Sequence, residues 1–228
     1  VWPLAEIGAL CRKKNVLFHS DAVQLVGKEP IDLEILAVDY LAAAAHKFHG
    51  PKGTGALYVK RTAPFRPLIM GAGQEMEHRA GTENVAGIVG MGMAAELAAG
   101  SLETVGAGVL ELRNMLQERI LAEIDDVIVN GASQPRLHNT LNVSFKNCAS
   151  GAMVQELDEK GIAVSAHSAC HNGDLDPSHV LRAMAVPETH IHGTLRLSLS
   201  RFNTRAEIDM LCASLPGIVA KSRQGAAV

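Results

Sequence analysis

The chain has 228 residues, which is enough for one large domain or two of ordinary size. Hydrophobic residues make up 47% and charged residues 20%, a normal globular balance, and the net charge of −3 gives no general reason to expect nucleic acid or an anionic membrane as partner. Four cysteines without a CxxC pair argue against a disulfide framework or a four-cysteine zinc site and favour the cytoplasm. We expect no signal peptide and no apolar run long enough to span a bilayer.

The first hundred residues alternate predicted helices and strands. Apolar spacing after a proline predicts a helix over residues 3–14. Predicted strands follow at 15–19, 38–44 and 56–61. Short apolar strands in alternation with other elements indicate an α/β sheet covered on both faces. A polar, glycine-rich loop at 71–84 then leads into a helix of small residues at 85–100.

From about residue 97 the pattern changes to a mixture of helices and strands without regular alternation. An amphipathic helix is predicted at 101–124. Further strands are predicted at 127–130, 140–145, 162–166 and 193–200, and a helix at 151–160. Asp176 is placed to cap the next helix, with Pro177 in its first turn, and Thr204 and Glu207 form a capping box before the last helix. We therefore expect a second, α+β domain.

Lys47 lies between an apolar strand and the glycine-rich turn "GPKGTG". It could be an ordinary lysine whose ammonium reaches solvent from a strand end. A phosphate-binding P-loop does not fit, because Gly55 is followed by Ala-Leu rather than Lys-Ser/Thr. The third reading is a Schiff-base lysine, since partial burial lowers the pKa of an amine and makes it a better nucleophile toward an aldehyde.

Asp21 follows the predicted strand "NVLFH", at the strand end where ligands gather in α/β sheets. A single aspartate after a strand is more often a cap or a turn residue. Together with Lys47 it fits pyridoxal phosphate, which needs an acidic partner for its ring nitrogen and a lysine for its aldehyde.

Five segments in unbroken order resemble one known family. They are "FHSDAVQLVGKEPIDL", "AHKFHGPKGTGALYVKR", "GAGQEMEHRAGTEN", "SAHSACHNGDLDPSHVLRAM" and "HGTLRLSLSRFNTRAEID". They are similar to cysteine desulfurases of the class V aminotransferase superfamily, in the nitrogen-fixation and iron–sulfur assembly branch. The resemblance implies that residues 1–96 are the C-terminal part of a large, pyridoxal-phosphate-binding α/β domain of the aspartate-aminotransferase type. Residues 97–228 would be the small C-terminal α+β domain.

The resemblance also implies roles at the cofactor. Lys47 would hold pyridoxal 5'-phosphate, and Asp21 would pair with its ring nitrogen. Gln24 would bond the ring hydroxyl. His46 would contact the phosphate as one of the catalytic residues, and Thr82 would reach the phosphate of the neighbouring subunit of a homodimer.

Two further roles concern the substrate, L-cysteine. Arg196 would clamp its carboxylate, although an ordinary outward residue of an alternating strand is the simpler reading. Cys170 would take the sulfur and carry it as a persulfide. As a metal ligand, it would bind an iron–sulfur cluster only transiently. A metal site that includes His167, Cys170 and His171 is the rival interpretation, ranked low for want of a fourth ligand. The other cysteines, Cys11, Cys148 and Cys212, read as small core residues.

Two departures from the family stand out. Ala44 occupies the position three residues before the lysine, where desulfurases usually carry a phosphate-binding serine. The N-terminal half of the family is missing, so we expect the chain to be part of a longer polypeptide.

The predicted function is conversion of L-cysteine to L-alanine with sulfur transfer through Cys170 to an iron–sulfur scaffold protein or another acceptor. The alternatives are a related lyase or transaminase, such as a selenocysteine lyase, and a catalytically incomplete fragment that acts only as an interaction module. Neither nucleic acid nor membrane is expected as partner.

Overall fold

The computed structural model describes residues 3–166 and 177–225, and the chain divides into two compact units, Val1–Thr104 and Val105–Val228. The division falls inside a helix, a few residues after the change of pattern at residue 97. Because the compact units report chain packing alone, the domain limits 1–96 and 97–228 stay a prediction.

The N-terminal unit contains a small mixed sheet and short helices. Its elements in chain order are α1 (Leu4–Lys14), β1 (His19–Asp21), α2 (Leu33–Leu36), β2 (Tyr40–Ala44), a 3₁₀ helix (Ala45–Phe48), β3 (Gly55–Val59), a second 3₁₀ helix (Gln74–Glu77) and the start of α3 (Val85–Glu123). The sheet order is β1-β2-β3. β1 and β2 are parallel, with Asp21 opposite Ala42, and β2 and β3 are antiparallel, with Ala44 opposite Gly55.

Three expectations for this unit need correction. The first strand is His19–Asp21 rather than residues 15–19, so Asp21 ends this strand instead of following it. The predicted end of the second strand at Ala44 is confirmed, and Lys47 lies in the 3₁₀ helix that follows. Helix α2 was missed, although the Asp32 side chain caps it by accepting the N–H groups of the second and third residues beyond it. The sheet is also not fully covered, because Leu57 on β3 is 48% exposed.

Helix α3 is one continuous helix where the sequence predicted two. The expected break at Gly100-Ser101 is absent because no proline interrupts the backbone, and the Ser101 hydroxyl donates to the Leu97 carbonyl at 2.7 Å within the helix. Glycine costs a helix only about 1 kcal/mol relative to alanine, which the flanking helix formers offset. In the described part of the chain, α3 is the one helix long and apolar enough by composition to cross a bilayer, so the expectation of no such run is wrong on that criterion.

The C-terminal unit is built on an antiparallel sheet. After the end of α3 its elements are β4 (Val127–Val129), β5 (Thr140–Phe145), α4 (Ser150–Asp158), α5 (His179–Ala183), α6 (Glu188–Ile191), β6 (Thr194–Ser198) and α7 (Arg205–Gly225). The sheet order is β4-β5-β6. Helices α3, α4 and α7 pack side chains into one core whose fully buried members include Leu116, Leu141, Phe145, Met153, Leu195 and Leu215.

The ends of the helices and strands in this unit agree only in part with those predicted from the sequence. The capping box at α7 is confirmed, because the Thr204 N–H donates to the Glu207 carboxylate at 2.7 Å and the Glu207 N–H donates back to the Thr204 hydroxyl at 3.4 Å. The strand predicted at 162–166 is reduced to a single bridge between Ser165 and Arg196. Helix α5 is capped by the Ser178 hydroxyl, and the predicted cap Asp176 lies outside the described residues.

Candidate active site

Asp21 and Lys47 approach the same edge of the N-terminal sheet. Asp21 is the last residue of β1, and Lys47 lies three residues beyond the end of β2. Since the two strands are parallel, their carboxyl ends meet at one edge, which is where α/β sheets bind ligands. The 3₁₀ helix turns the chain at this edge and leaves the Lys47 side chain half-buried.

The Asp21 carboxylate is exposed and partly oriented by its own backbone. Its Oδ1 accepts the Val23 N–H at 3.0 Å, as in an aspartate turn. An ionised carboxylate has more lone pairs than this one bond uses, so it keeps the capacity to accept a proton donor from a ligand. This is the chemistry that a protonated ring nitrogen requires.

Lys28 is a site residue that the sequence reasoning missed. Its ammonium donates to the Gln24 carbonyl at 2.9 Å and to the Lys47 carbonyl at 3.5 Å, so it joins the turn after β1 to the 3₁₀ helix after β2. Burial, followed by the charge of Lys47, lowers the pKa of Lys28. The sequence pattern that could have indicated Lys28 is its place four residues after Gln24 and directly after a turn glycine.

That glycine, Gly27, fits the turn closely against the 3₁₀ helix. Its φ of +77° is a left-handed conformation, and a Cβ built on it would lie 2.5 Å from Cβ of Phe48. Phe48 is itself buried with Ala45 and Ala94 in a small core. The turn therefore packs directly on the backbone that carries Lys47.

The remaining residues predicted to bind cofactor differ in their surroundings. Gln24 and His46 are exposed, Gln24 in the turn after β1 and His46 beside Lys47. The structure thus brings four of the five together: Asp21, Gln24, His46 and Lys47. Thr82 is exposed on the loop before α3, and no hydrogen bond among the described residues links it to them.

Arg196, the predicted substrate clamp, belongs to the C-terminal unit. It lies on β6 opposite Asn142 and is half-buried. Its Nη2 donates to the Ser165 hydroxyl at 3.3 Å, and its backbone exchanges two hydrogen bonds with Ser165. This anchoring leaves further N–H donors of the guanidinium for a carboxylate.

Comparisons with known proteins agree on one family. The family described as Aminotransferase class-V matches residues 1–211. The chain belongs to the class V aminotransferase family. A cysteine desulfurase of Klebsiella pneumoniae is 48% identical over 223 residues, and the cysteine desulfurase NifS of Azotobacter vinelandii is 45% identical over 223 residues. These alignments cover 98% of this chain and 56% of each relative, so the chain spans about half the length of the curated relatives it matches.

Solved structures of NifS-like proteins share the fold. A NifS-like protein from Rickettsia africae superposes with a TM-score of 0.87 at 31% identity, covering 95% of this chain and 57% of that one. Another NifS-like protein gives a TM-score of 0.84 at 38% identity, with 96% and 57% covered. The fold class expected from the sequence, that of pyridoxal-phosphate enzymes of the aspartate-aminotransferase type, is confirmed.

Class V aminotransferases depend on pyridoxal phosphate, and the residues at the sheet edge fit that cofactor. Lys47 supplies an amine, and the Asp21 carboxylate at the parallel strand end supplies the acidic partner. Ala44, the last residue of β2, offers a methyl group where a hydroxyl would donate to phosphate, so the loss of one phosphate contact stays a prediction.

The cysteines differ sharply in burial. Burial raises the pKa of both Cys148 and Cys212, which are 4% and 2% exposed, so these thiols stay protonated near neutral pH and their assignment to the core is confirmed. Cys11 is half-buried, and its assignment to the core is wrong, because α1 buries only Gly8 fully. Cys170 lies outside the described residues with its neighbours His167 and His171. Within residues 3–166 and 177–225, no group of three or more His, Cys, Asp or Glu side chains could hold a metal ion.

Proposed function

We propose that the protein is a pyridoxal-phosphate-dependent cysteine desulfurase, which converts L-cysteine to L-alanine and passes the sulfur to an acceptor for iron–sulfur cluster assembly. The observation that carries this proposal is the approach of Asp21 and Lys47 at one edge of parallel strands, in a chain whose curated relatives are named cysteine desulfurases. The half-buried position of Lys47 supports its role as the amine that holds the cofactor.

Each residue at the sheet edge has a task that its chemistry suits. When bound, the cofactor supplies an electron sink for bonds at the substrate Cα. The Asp21 carboxylate would hold a proton on the ring nitrogen, and the Gln24 side chain would orient the ring hydroxyl. His46 would contact the phosphate. The Lys47 amine would move a proton to and from the substrate Cα.

Lys28 positions this group of residues rather than reacting itself. Its ammonium holds the carbonyls of Gln24 and Lys47, so the turn that follows Asp21 and carries Gln24 keeps its place beside the 3₁₀ helix. A cation between two carbonyl dipoles is a stronger tether than a neutral hydrogen bond.

Sulfur transfer requires a thiolate, and we assign it to Cys170. The thiolate attacks the substrate sulfur and forms an S–S bond, while the carbon–sulfur bond breaks and its electron pair returns to the carbon skeleton. Protonation of that carbon yields alanine, and Cys170 keeps the sulfur as a persulfide. Arg196 holds the substrate carboxylate meanwhile. The raised pKa values of Cys148 and Cys212 support the choice of Cys170, because buried thiols are poor nucleophiles.

The proposal is tested by measuring the attachment of pyridoxal phosphate to Lys47 and the formation of alanine in the full-length protein. Incubation with pyridoxal phosphate and reduction with borohydride should label the Lys47 peptide, and Lys47→Ala should lose both the label and alanine formation. Lys52→Ala is the matched control, since Lys52 is exposed in the turn that follows the 3₁₀ helix, five residues after Lys47. Label on Lys52 or Lys60 in the wild type would contradict the assignment.

A second measurement separates a desulfurase from the related enzymes. Brief exposure to L-cysteine should add one sulfur to the Cys170 peptide, and Cys170→Ser should keep the borohydride label while losing sulfur transfer. Cys11→Ser, in a half-buried cysteine, should behave as the wild type. Equal turnover by Cys170→Ser would favour a transaminase or a selenocysteine lyase, and the absence of label and turnover in the wild type would favour an interaction module.

The setting of the reaction is also part of the proposal. We place the protein in the cytoplasm as a homodimer in which Thr82 of one copy reaches the cofactor phosphate of the other. The exposed position of Thr82 supports this arrangement. A Thr82→Ala chain mixed with a Lys47→Ala chain should regain activity in the hybrid dimer, and a failure to regain it argues against site sharing.

A further inference from the structure

One face of α3 in the C-terminal unit carries two polar residues and meets the connection between β4 and β5. Gly106, Arg113 and Gln117 share this face, since they are seven and four positions apart. The connection runs along it: a Cβ on Gly106 would lie 3.6 Å from Cε1 of His138, and Nη2 of Arg136 donates to Oε1 of Gln117 at 2.6 Å. Gln117 therefore brings the guanidinium of Arg136 beside that of Arg113.

The two guanidinium groups hold buried donors without partners. Arg113 is only 6% exposed, and its Nε and Nη1 have no hydrogen-bond partner among the described residues. The same is true of Nη1 of Arg136. In the described part of the chain no carboxylate forms an ion pair with either arginine. Since buried polar groups in folded proteins are nearly always bonded, three such donors at one place require an explanation.

The charges reinforce this conclusion. Burial, followed by the charge of Arg136, lowers the pKa of Arg113, and burial lowers the pKa of Arg136. Both side chains nevertheless stay protonated at neutral pH, because arginine is too strong a base to lose its proton in a protein. A water molecule could accept the hydrogen bonds but would leave two like charges side by side in a low-dielectric place.

We propose that Arg113 and Arg136 form a binding site for a small tetrahedral oxyanion of the phosphate or sulfate class. An oxyanion accepts the three unpartnered donors and neutralises both charges at once. The planar guanidinium matches the oxygens of phosphate and sulfate in pairs, which makes arginine the side chain that suits this ligand. Gln117 keeps Arg136 in place, so it is a positioning residue. The site belongs to the C-terminal unit alone and does not depend on the proposed desulfurase activity.

The experiment measures anion binding to the full-length protein by calorimetry and by its melting temperature. Sodium phosphate and sodium sulfate are compared with sodium chloride at constant ionic strength. Phosphate or sulfate should bind and raise the melting temperature where chloride does not. Arg136→Gln should weaken binding at least about tenfold, the loss expected for a hydrogen bond to a charged group.

Arg119→Gln is the matched control. Arg119 lies on the same helix, but its charge is already met by Glu123 at 3.1 Å and Asp209 at 2.6 Å. This variant should bind the anions as the wild type does. Arg136→Lys, which keeps the charge but not the planar fork, should fall between the wild type and Arg136→Gln.

Arg113→Gln should also abolish binding, provided that circular dichroism shows a folded protein. If that variant fails to fold, the half-buried Arg136 still decides the question through its Gln and Lys variants. The proposal is overturned if neither phosphate nor sulfate binds more strongly than chloride, or if Arg136→Gln binds them as tightly as Arg119→Gln does.

Discussion

Gly27→Ala probes the packing of the turn after β1 against the helix that carries Lys47. Gly27 and Gly53 both have φ +77°, yet their surroundings differ. A methyl on Gly27 would lie 2.5 Å from Cβ of Phe48, whereas nothing lies within 4 Å of the same position on Gly53. Gly53→Ala is therefore a matched control, in which the backbone strain is present and the steric contact is absent.

The expected magnitudes follow from these two contributions. A left-handed conformation costs a residue with a Cβ about 1–2 kcal/mol, which both variants should lose in free energy of unfolding. Overpacking of a buried site costs about 1–3 kcal/mol more. Phe48 is 4% exposed, and its Cβ is fixed to the backbone, so it has little room to yield. We expect a loss of about 1–2 kcal/mol for Gly53→Ala and about 2–5 kcal/mol for Gly27→Ala.

Urea unfolding followed by circular dichroism would measure both free energies. Hydrogen exchange of the peptides that contain Lys28 and Lys47 would show whether the added loss is local to the turn and the 3₁₀ helix. Gly27→Ala should also weaken the attachment of pyridoxal phosphate at Lys47, since the turn that directly follows Asp21 must shift. Equal losses in the two alanine variants would show that Phe48 is not in tight contact with the turn and would refute the reasoning.

Two further predictions concern the C-terminal unit. The Ser144 hydroxyl is fully buried, accepts a hydrogen bond from Nδ2 of Asn130 at 2.7 Å and bonds the Thr194 hydroxyl at 2.7 Å. Ser144→Ala should therefore lower the free energy of unfolding by about 1–3 kcal/mol. A loss no larger than that of Ser198→Ala, at an exposed serine, would disprove this. The hydrogen bond from the Thr204 backbone N–H, and after it the bond from the Asn203 side chain, lowers the pKa of Glu207. The Glu207 carboxylate therefore stabilises α7 fully above the usual carboxylate pKa, and this stabilisation is lost as the pH falls through the lowered pKa. The melting temperatures of the wild type and Glu207→Gln should therefore converge in acid, and a constant difference down to low pH would contradict the assignment.

Several features of this protein could be predicted from short stretches of its sequence. A strand followed by Asp21, and another followed by the turn beside Lys47, predicted a ligand site at one sheet edge, because parallel strand ends meet there whatever packs around them. The capping box of Thr204 and Glu207 was equally readable, since both partners lie within one turn of helix. The signals in these cases span only a few residues.

Such local patterns do not predict contacts between segments that are distant in the sequence. Lys28 meets the carbonyl of Lys47 across 19 positions, and the position of Phe48 decides that Gly27 has no room for a side chain. No local pattern distinguishes Arg113 and Arg136, because they meet only through the connection after β4. Periodicity and propensity describe each segment alone, whereas burial and pairing arise when segments fold against one another. Only the tertiary structure therefore decided which of these polar groups lost their contact with water.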